Sequence, residues 1–270
     1  MTTIIDGSGV SFSRRIAEFR AYRTLFLFLT LRDITLRYRQ TVLGVLWAVL
    51  QPIIPMLIFT VIFARALRGE TGGVPYSLFA LAGLAPWMFF ANAINAASTT
   101  FIMNHNLLNK VYFPRAILPG AAAVACVLDG MVAGIFLVGL LLFHGYRPHE
   151  AWLFIPVIAA ITLVLATSVG LAAASLMALY RDMKHAFPFL VQLWMYATPV
   201  VYPTKLVPGI FHRLIALNPM SGVVDAVRYC LFGTPLDWMS VALSGLSAIL
   251  IWIGAAAIFQ HLETDLAERV

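Results

Sequence analysis

The sequence predicts an all-α integral membrane protein, with six transmembrane helices, an N-terminal amphipathic interfacial helix and short re-entrant helices between the fifth and sixth spans. Three observations carry that prediction. The 270 residues are 61% hydrophobic and only 11% charged, where a soluble domain has about 25% charged residues. Mean hydropathy is +0.89. Several apolar runs reach the roughly 20 residues that an α-helix needs to cross about 30 Å of hydrocarbon. Lipid satisfies no backbone hydrogen bonds, so a spanning segment is a helix or part of a closed barrel, and continuous rather than alternating hydrophobicity selects helices.

Taken in order, residues 1–13 form a polar N-terminal tail without the apolar core and small-residue cleavage site of a signal peptide. Residues 14–41 read as an amphipathic helix in the cytoplasmic interface. Leu27, Leu31, Ile34 and Tyr38 recur at i, i+4, i+7 and i+11, with Arg32, Asp33, Leu36, Arg37 and Arg39 on other sides. A single membrane domain, residues 42–260, holds spans at 42–64, 76–101, 117–143, 152–179, 187–203 and 239–260, and residues 261–270 are a cytoplasmic tail. Between the last two spans, Val207–Leu217 and Gly222–Phe232 are apolar pieces of about 11 residues, interrupted by Pro208, Asn218, Pro219, Gly222 and Gly233. Pieces that short cannot cross a bilayer; they suit re-entrant or interfacial helices on the outer side. Gly130 and Gly134 make a GxxxG in the third span, which permits close helix approach within the chain or between copies.

Charge sets the expected orientation. With a cytoplasmic N-terminus, the basic residues divide about two to one in favour of the cytoplasmic side, which places both termini there. The formal charge of +6 sits beside hydrophobic spans, so anionic lipid head groups or phosphate-bearing substrates are expected as partners, not nucleic acid.

Chemistry is sparse. Cys126 and Cys230 lie in separate apolar segments without metal or redox spacing, and the six histidines make no HExxH. No GxSxG and no Gly-Lys pair occurs, so neither a serine nucleophile nor a P-loop is present, and no cofactor or metal is expected on this chain. Asp129 is the one clear ionisable residue inside a span. It reads either as a coupling site or as a carboxyl hydrogen-bonded near a helix end or facing a wet cavity. Transport energy is therefore expected from a separate subunit.

The loop Asn104–Pro119 mixes amides, two cations, the pair Tyr112 and Phe113 and two prolines, which suits docking to another protein or anchoring in the aromatic belt. Further aromatics stand at Trp47, Trp87, Phe89, Phe90, Trp194, Tyr196 and Tyr202. They are packing or belt residues, or else channel residues whose faces stack on sugar rings without demanding one register.

Three segments, Leu31–Pro52 (LRDITLRYRQTVLGVLWAVLQP), Val111–Arg115 (VYFPR) and Asn218–Arg228 (NPMSGVVDAVR), together resemble the permease of ATP-binding-cassette exporters of polysaccharides and polyol phosphates, over about residues 14–260. That resemblance implies a homodimer in the bacterial inner membrane, with two separate ATPase subunits carrying ATP and Mg, exporting a lipid-linked O-antigen, teichoic or capsular polymer. It also implies roles. Arg32, Arg37, Tyr38 and Arg39 would belong to a gate helix that receives the substrate's pyrophosphate. Lys110, Val111, Tyr112, Phe113, Pro114 and Arg115 would couple to the ATPase; at position 109 this chain has Asn where many members of that family carry a base. Asn218, Pro219, Asp225 and Arg228 would belong to the re-entrant outer segment. The competing readings are a permease for a smaller substrate, an ion-coupled flippase centred on Asp129, and a membrane enzyme acting on polyprenyl-linked sugars with Asp225 and Arg228 at its centre.

Overall fold

A computed structural model describes residues 20–39, 44, 46–180 and 182–269, with the side chains of 263–269 excepted. The expected tail 1–13 and residues 14–19, 40 and 41 of the expected interfacial helix lie outside the described residues. Among the described residues the regular elements are all helices, and the α-helices are α1 (Arg23–Tyr38), α2 (Leu46–Phe63), α3 (Tyr76–Ser98), α4 (Thr100–Met103), α5 (His105–Lys110), α6 (Ile117–Ala125), α7 (Val127–Phe143), α8 (Ile155–Leu179), α9 (Met183–Tyr196), α10 (Gly209–Ala216), α11 (Pro219–Phe232) and α12 (Trp238–Arg269).

Among the described residues, five segments are long and apolar enough to cross a membrane: Leu46–Phe63, Tyr76–Ser98, Ile117–Phe143, Glu150–Leu179 and Trp238–Leu262. The expected span 187–203 is instead the 14-residue α9 followed by turns, about 21 Å of helix at 1.5 Å per residue. The expected pieces at 207–217 and 222–232 are the short helices α10 and α11, separated at Leu217 and Asn218. At the C-terminus, α12 runs on through Arg269, so the last span and the expected tail form one helix.

The core is built on α3 and α8, whose surfaces are dense in small residues. A Cβ on Gly170 would lie 2.5 Å from the Ala97 methyl, so the two backbones meet directly. Along α8 the hydroxyls of Thr162, Thr167, Ser168 and Ser175 donate to carbonyls one turn back, which satisfies them without water. Gly130 packs on the Phe89 ring, where a Cβ would approach to 3.0 Å, while Gly134 faces open space; half of the GxxxG is thus used within the chain.

At one end of the molecule a second apolar cluster joins Leu29 of α1, Phe101, Phe113, Ile117, Leu118, Ala174 and Phe259. This cluster adds a protein-facing side to α1. Its Leu25, Phe26 and Leu29 pack on the body, while Leu27, Phe28 and Leu31 are exposed. The stretch Arg23–Leu31 is apolar on two sides, one packed and one exposed, and a single-face reading of its periodicity could not distinguish them.

Candidate functional site

Between α6 and α7 the third span breaks at Cys126, whose amide bonds back three residues to Ala123. The break starts a new helix with Asp129 in its first turn, where unsatisfied N–H groups and the helix dipole favour a carboxylate. The C-terminal turn of α1 comes to that point. Arg37 Nη1 and the Tyr38 hydroxyl both donate to the Asp129 carboxylate, and Arg37 Nη2 lies 3.1 Å from Cys126 Sγ. The Arg37 and Asp129 side chains retain 30% and 12% exposure. Burial, reinforced by Asp129, pushes the Tyr38 phenol well above its ordinary value, so it stays protonated and keeps its hydrogen bond to the carboxylate.

This latch forms one wall of a cleft of about 660 Å³, whose other walls include Trp47, Ala48 and Gln51 of α2 and Asn92 and Asn95 of α3. Asn92 Nδ2 donates to Gln51 Oε1 at 3.1 Å. Asn95 Oδ1 is buried with no hydrogen-bond partner among the described residues. Trp47 is 53% exposed.

Of the other expected gate residues, Arg32 is paired with its neighbour Asp33 at 2.8 Å, and Arg39 is exposed at the C-cap of α1. Arg37 and Tyr38 are thus brought together with Asp129, and Arg32 and Arg39 stand outside that cluster. In the 110–115 loop, Phe113 is only 4% exposed, whereas Val111 and Tyr112 face outward, Tyr112 at 75%. Lys110 is exposed, and Pro114 and Arg115 are half-buried. The Tyr22 hydroxyl donates to Tyr112 O at 3.3 Å, tying the loop to α1.

The aromatic candidates divide into two groups. Trp87 and Phe90 of α3 are buried and interlock with Trp194 of α9, with centroids 5.2 to 6.4 Å apart, and Phe89 is buried against Gly130. Trp47 opens into the polar cleft, while Tyr196 and Tyr202 line a second cleft of about 600 Å³ with Trp194, Phe211 and Asn218.

At the end opposite α1, Asn218 caps α11 by accepting from Met220 N at 3.1 Å, accepts from Trp194 Nε1 at 2.9 Å and donates to Thr198 Oγ1 at 2.8 Å. Pro219 follows at the first turn of α11, where its missing N–H is no loss. Arg228 is fully buried. It donates to Pro199 O at 2.8 Å and Val200 O at 2.6 Å, and its guanidinium lies 3.6 Å over the Phe79 ring. Asp225 is 3.7 Å from it and accepts from Thr204 Oγ1. Gly83 makes room, since a Cβ there would fall 2.2 Å from Val200 O. The Asp225–Arg228 pair is thus engaged in joining α3, α11 and the chain after α9.

The amides Gln51, Asn92 and Asn95 escaped a sequence search directed at ionisable groups. The available signal was spacing: Asn92 and Asn95 are i, i+3, and Gln51 follows Trp47 by one turn, so each pair shares a helix face.

Comparison with known proteins places this architecture. Over 261 residues the chain is 28% identical to the O-antigen export system permease protein RfbA of Myxococcus xanthus, covering 95% of this chain and 99% of that protein. It is 26% identical over 245 residues to the RfbA of the same description from Klebsiella pneumoniae, covering 90% and 94%. It is 23% identical over 239 residues to the polysialic acid transport protein KpsM of Escherichia coli, covering 84% and 90%. The family model described as ABC-2 type transporter matches residues 24–232, and the chain belongs to that family of membrane transporter permeases.

Proposed function

We propose that this chain is the transmembrane permease subunit of an ATP-driven exporter that secretes a lipid-linked polysaccharide, O-antigen or a related glycan or teichoic polymer, across the bacterial inner membrane. The observation that carries this reading is the polar cleft under α1. It combines a cation, amides and an exposed indole in a chain similar along nearly its whole length to proteins named as O-antigen export permeases. Two copies of the chain pair to close a channel, each contributing its cleft under α1. Two ATPase subunits supply the energy and carry ATP and Mg.

The path of the chain supports six crossings with both termini on the cytoplasmic side. α9 starts directly after α8, whose Ala174 lies in the cluster at the α1 end. The buried Thr198–Val200 that follow α9 pack on Gly83 near the start of α3 at the other end. In this topology α10 and α11 are the re-entrant outer segment, too short to cross and seated on α12 by Ser244, which donates to Ala216 O and Asn218 O. The outward Lys110, Val111 and Tyr112 touch the ATPase, Phe113 anchors their loop in the body, and α1 carries the movement to the cleft. Such coupling requires that these contacts differ between the resting and ATP-bound states.

The test is reconstitution with the ATPase partner in lipid nanodiscs. Polyprenyl-diphosphate-linked glycan should stimulate ATP hydrolysis. Tyr112→Ala combined with Val111→Ala should abolish that stimulation and export while leaving the melting temperature of the isolated permease within about 2 °C, since both side chains are surface-exposed. Normal export by that variant overturns the coupling assignment, and failure to bind any ATPase subunit overturns the exporter reading.

A further inference from the structure

The latch and the amides offer different chemistry to whatever enters the cleft. Arg37 and Asp129 neutralise each other, so that wall presents a balanced pair. The facing ledge of Gln51, Asn92 and Asn95 is uncharged and polar. Amides within membrane helices persist where they have partners or face a polar cavity. Each carries two donors and an acceptor, more than the single bond between Asn92 and Gln51 uses. Asn95 Oδ1 is buried and unpartnered among the described residues, and a buried acceptor of that kind calls for a donor. One turn before Gln51, the exposed Trp47 presents an indole in the same cleft.

A ligand matched to that wall is uncharged, bears hydroxyls along its edge to donate to and accept from amides, and has C–H faces to lie on an indole. Those are the properties of a pyranose ring. The cleft's 660 Å³ falls within the roughly 300–1,000 Å³ typical of small-molecule sites. We propose that Trp47, Gln51, Asn92 and Asn95 form a subsite for an uncharged pyranose, the sugar unit adjoining the diphosphate of the lipid-linked substrate. The inference rests on the exporter reading. It assigns recognition of the first sugar to the neutral ledge, with the diphosphate lying toward α1.

The experiment compares two probes on the ATPase-bound permease in nanodiscs: bare polyprenyl diphosphate, and the same lipid carrying one hexose. The readout is the ratio of their apparent affinities for stimulating hydrolysis. The wild type should prefer the hexosyl lipid by about tenfold, the scale of one or two neutral hydrogen bonds plus ring stacking. Asn95→Leu and Trp47→Ala should each bring the ratio toward one, and Trp47→Phe should restore it in part. Trp47→Ala changes an exposed side chain, so its result does not depend on core repacking. A wild-type protein that responds equally to both lipids overturns the subsite while the exporter reading stands, as does a preference retained in both loss variants. A wild-type protein that responds to neither lipid overturns the exporter reading and the subsite with it.

Discussion

Arg228 and Arg37 both join elements distant in sequence, yet the first is bonded by the backbone carbonyls of Pro199 and Val200 and the second by the carboxylate of Asp129. Backbone carbonyls stay with their chain and take no other cation where Arg228 fills the space. Its guanidinium also lies over Phe79, against the gap left by Gly83. Arg37 and Asp129 border an open cleft, and their side chains keep 30% and 12% exposure. One end of the molecule is therefore joined by a fully buried arginine, and the end carrying α1 by a partly exposed ion pair beside a cleft.

The largest effect tests the buried arginine. Arg228→Ala orphans two buried carbonyls and leaves Asp225 without its cation, with an expected loss of about 3 kcal/mol or more. The measurement is thermal melting in detergent and the yield of inserted protein; a near-normal melting curve removes the distinction between the two ends. Gly83→Ala places a methyl against Val200 O and Arg228 Nη2 and should destabilise by about 2 kcal/mol, the scale of overpacking in a tight contact. Because it disturbs the same joint, its effect should be less than additive with that of Arg228→Ala.

The latch should respond more weakly in stability and more strongly in ligand binding. Asp129→Asn removes the counter-charge of Arg37 and should reduce stability by about 1 kcal/mol, with faster hydrogen exchange across Arg23–Tyr38. Bare polyprenyl diphosphate should then bind more tightly, because Arg37 no longer has a carboxylate to give up. Unchanged exchange in α1, or weaker diphosphate binding, would show that the ion pair does not hold the helix in competition with ligand.

Much of the architecture was legible because lipid leaves so little choice. Apolar runs of 18 residues or more could only become helices, and five of the expected spans do so. The site was less legible, for reasons visible in particular residues. Asp129 was singled out by its charge, but its partner Arg37 lies 92 positions away. Arg228 stands only three residues after Asp225 in the sequence, whereas its shortest bonds go to carbonyls 28 and 29 positions distant. Phe113 and Tyr112 are adjacent aromatics of similar character, and the fold buries one and exposes the other. Trp87 and Phe90 likewise have the composition of channel aromatics and sit in the packed contact with Trp194.

By itself, the sequence determined that this is a helical membrane protein and where most of its helices lie, because burial in hydrocarbon is a local requirement that each segment must meet from its own residues. It also carried the motifs that mark its family. Only the tertiary structure decided which side of α1 faces protein, which arginine is buried and which borders a cleft, and that Trp47 shares that cleft with three amides drawn from two helices. Those outcomes depend on close approach between segments tens of residues apart, where a missing Cβ at Gly83 or Gly170 or a break at Cys126 sets who meets whom.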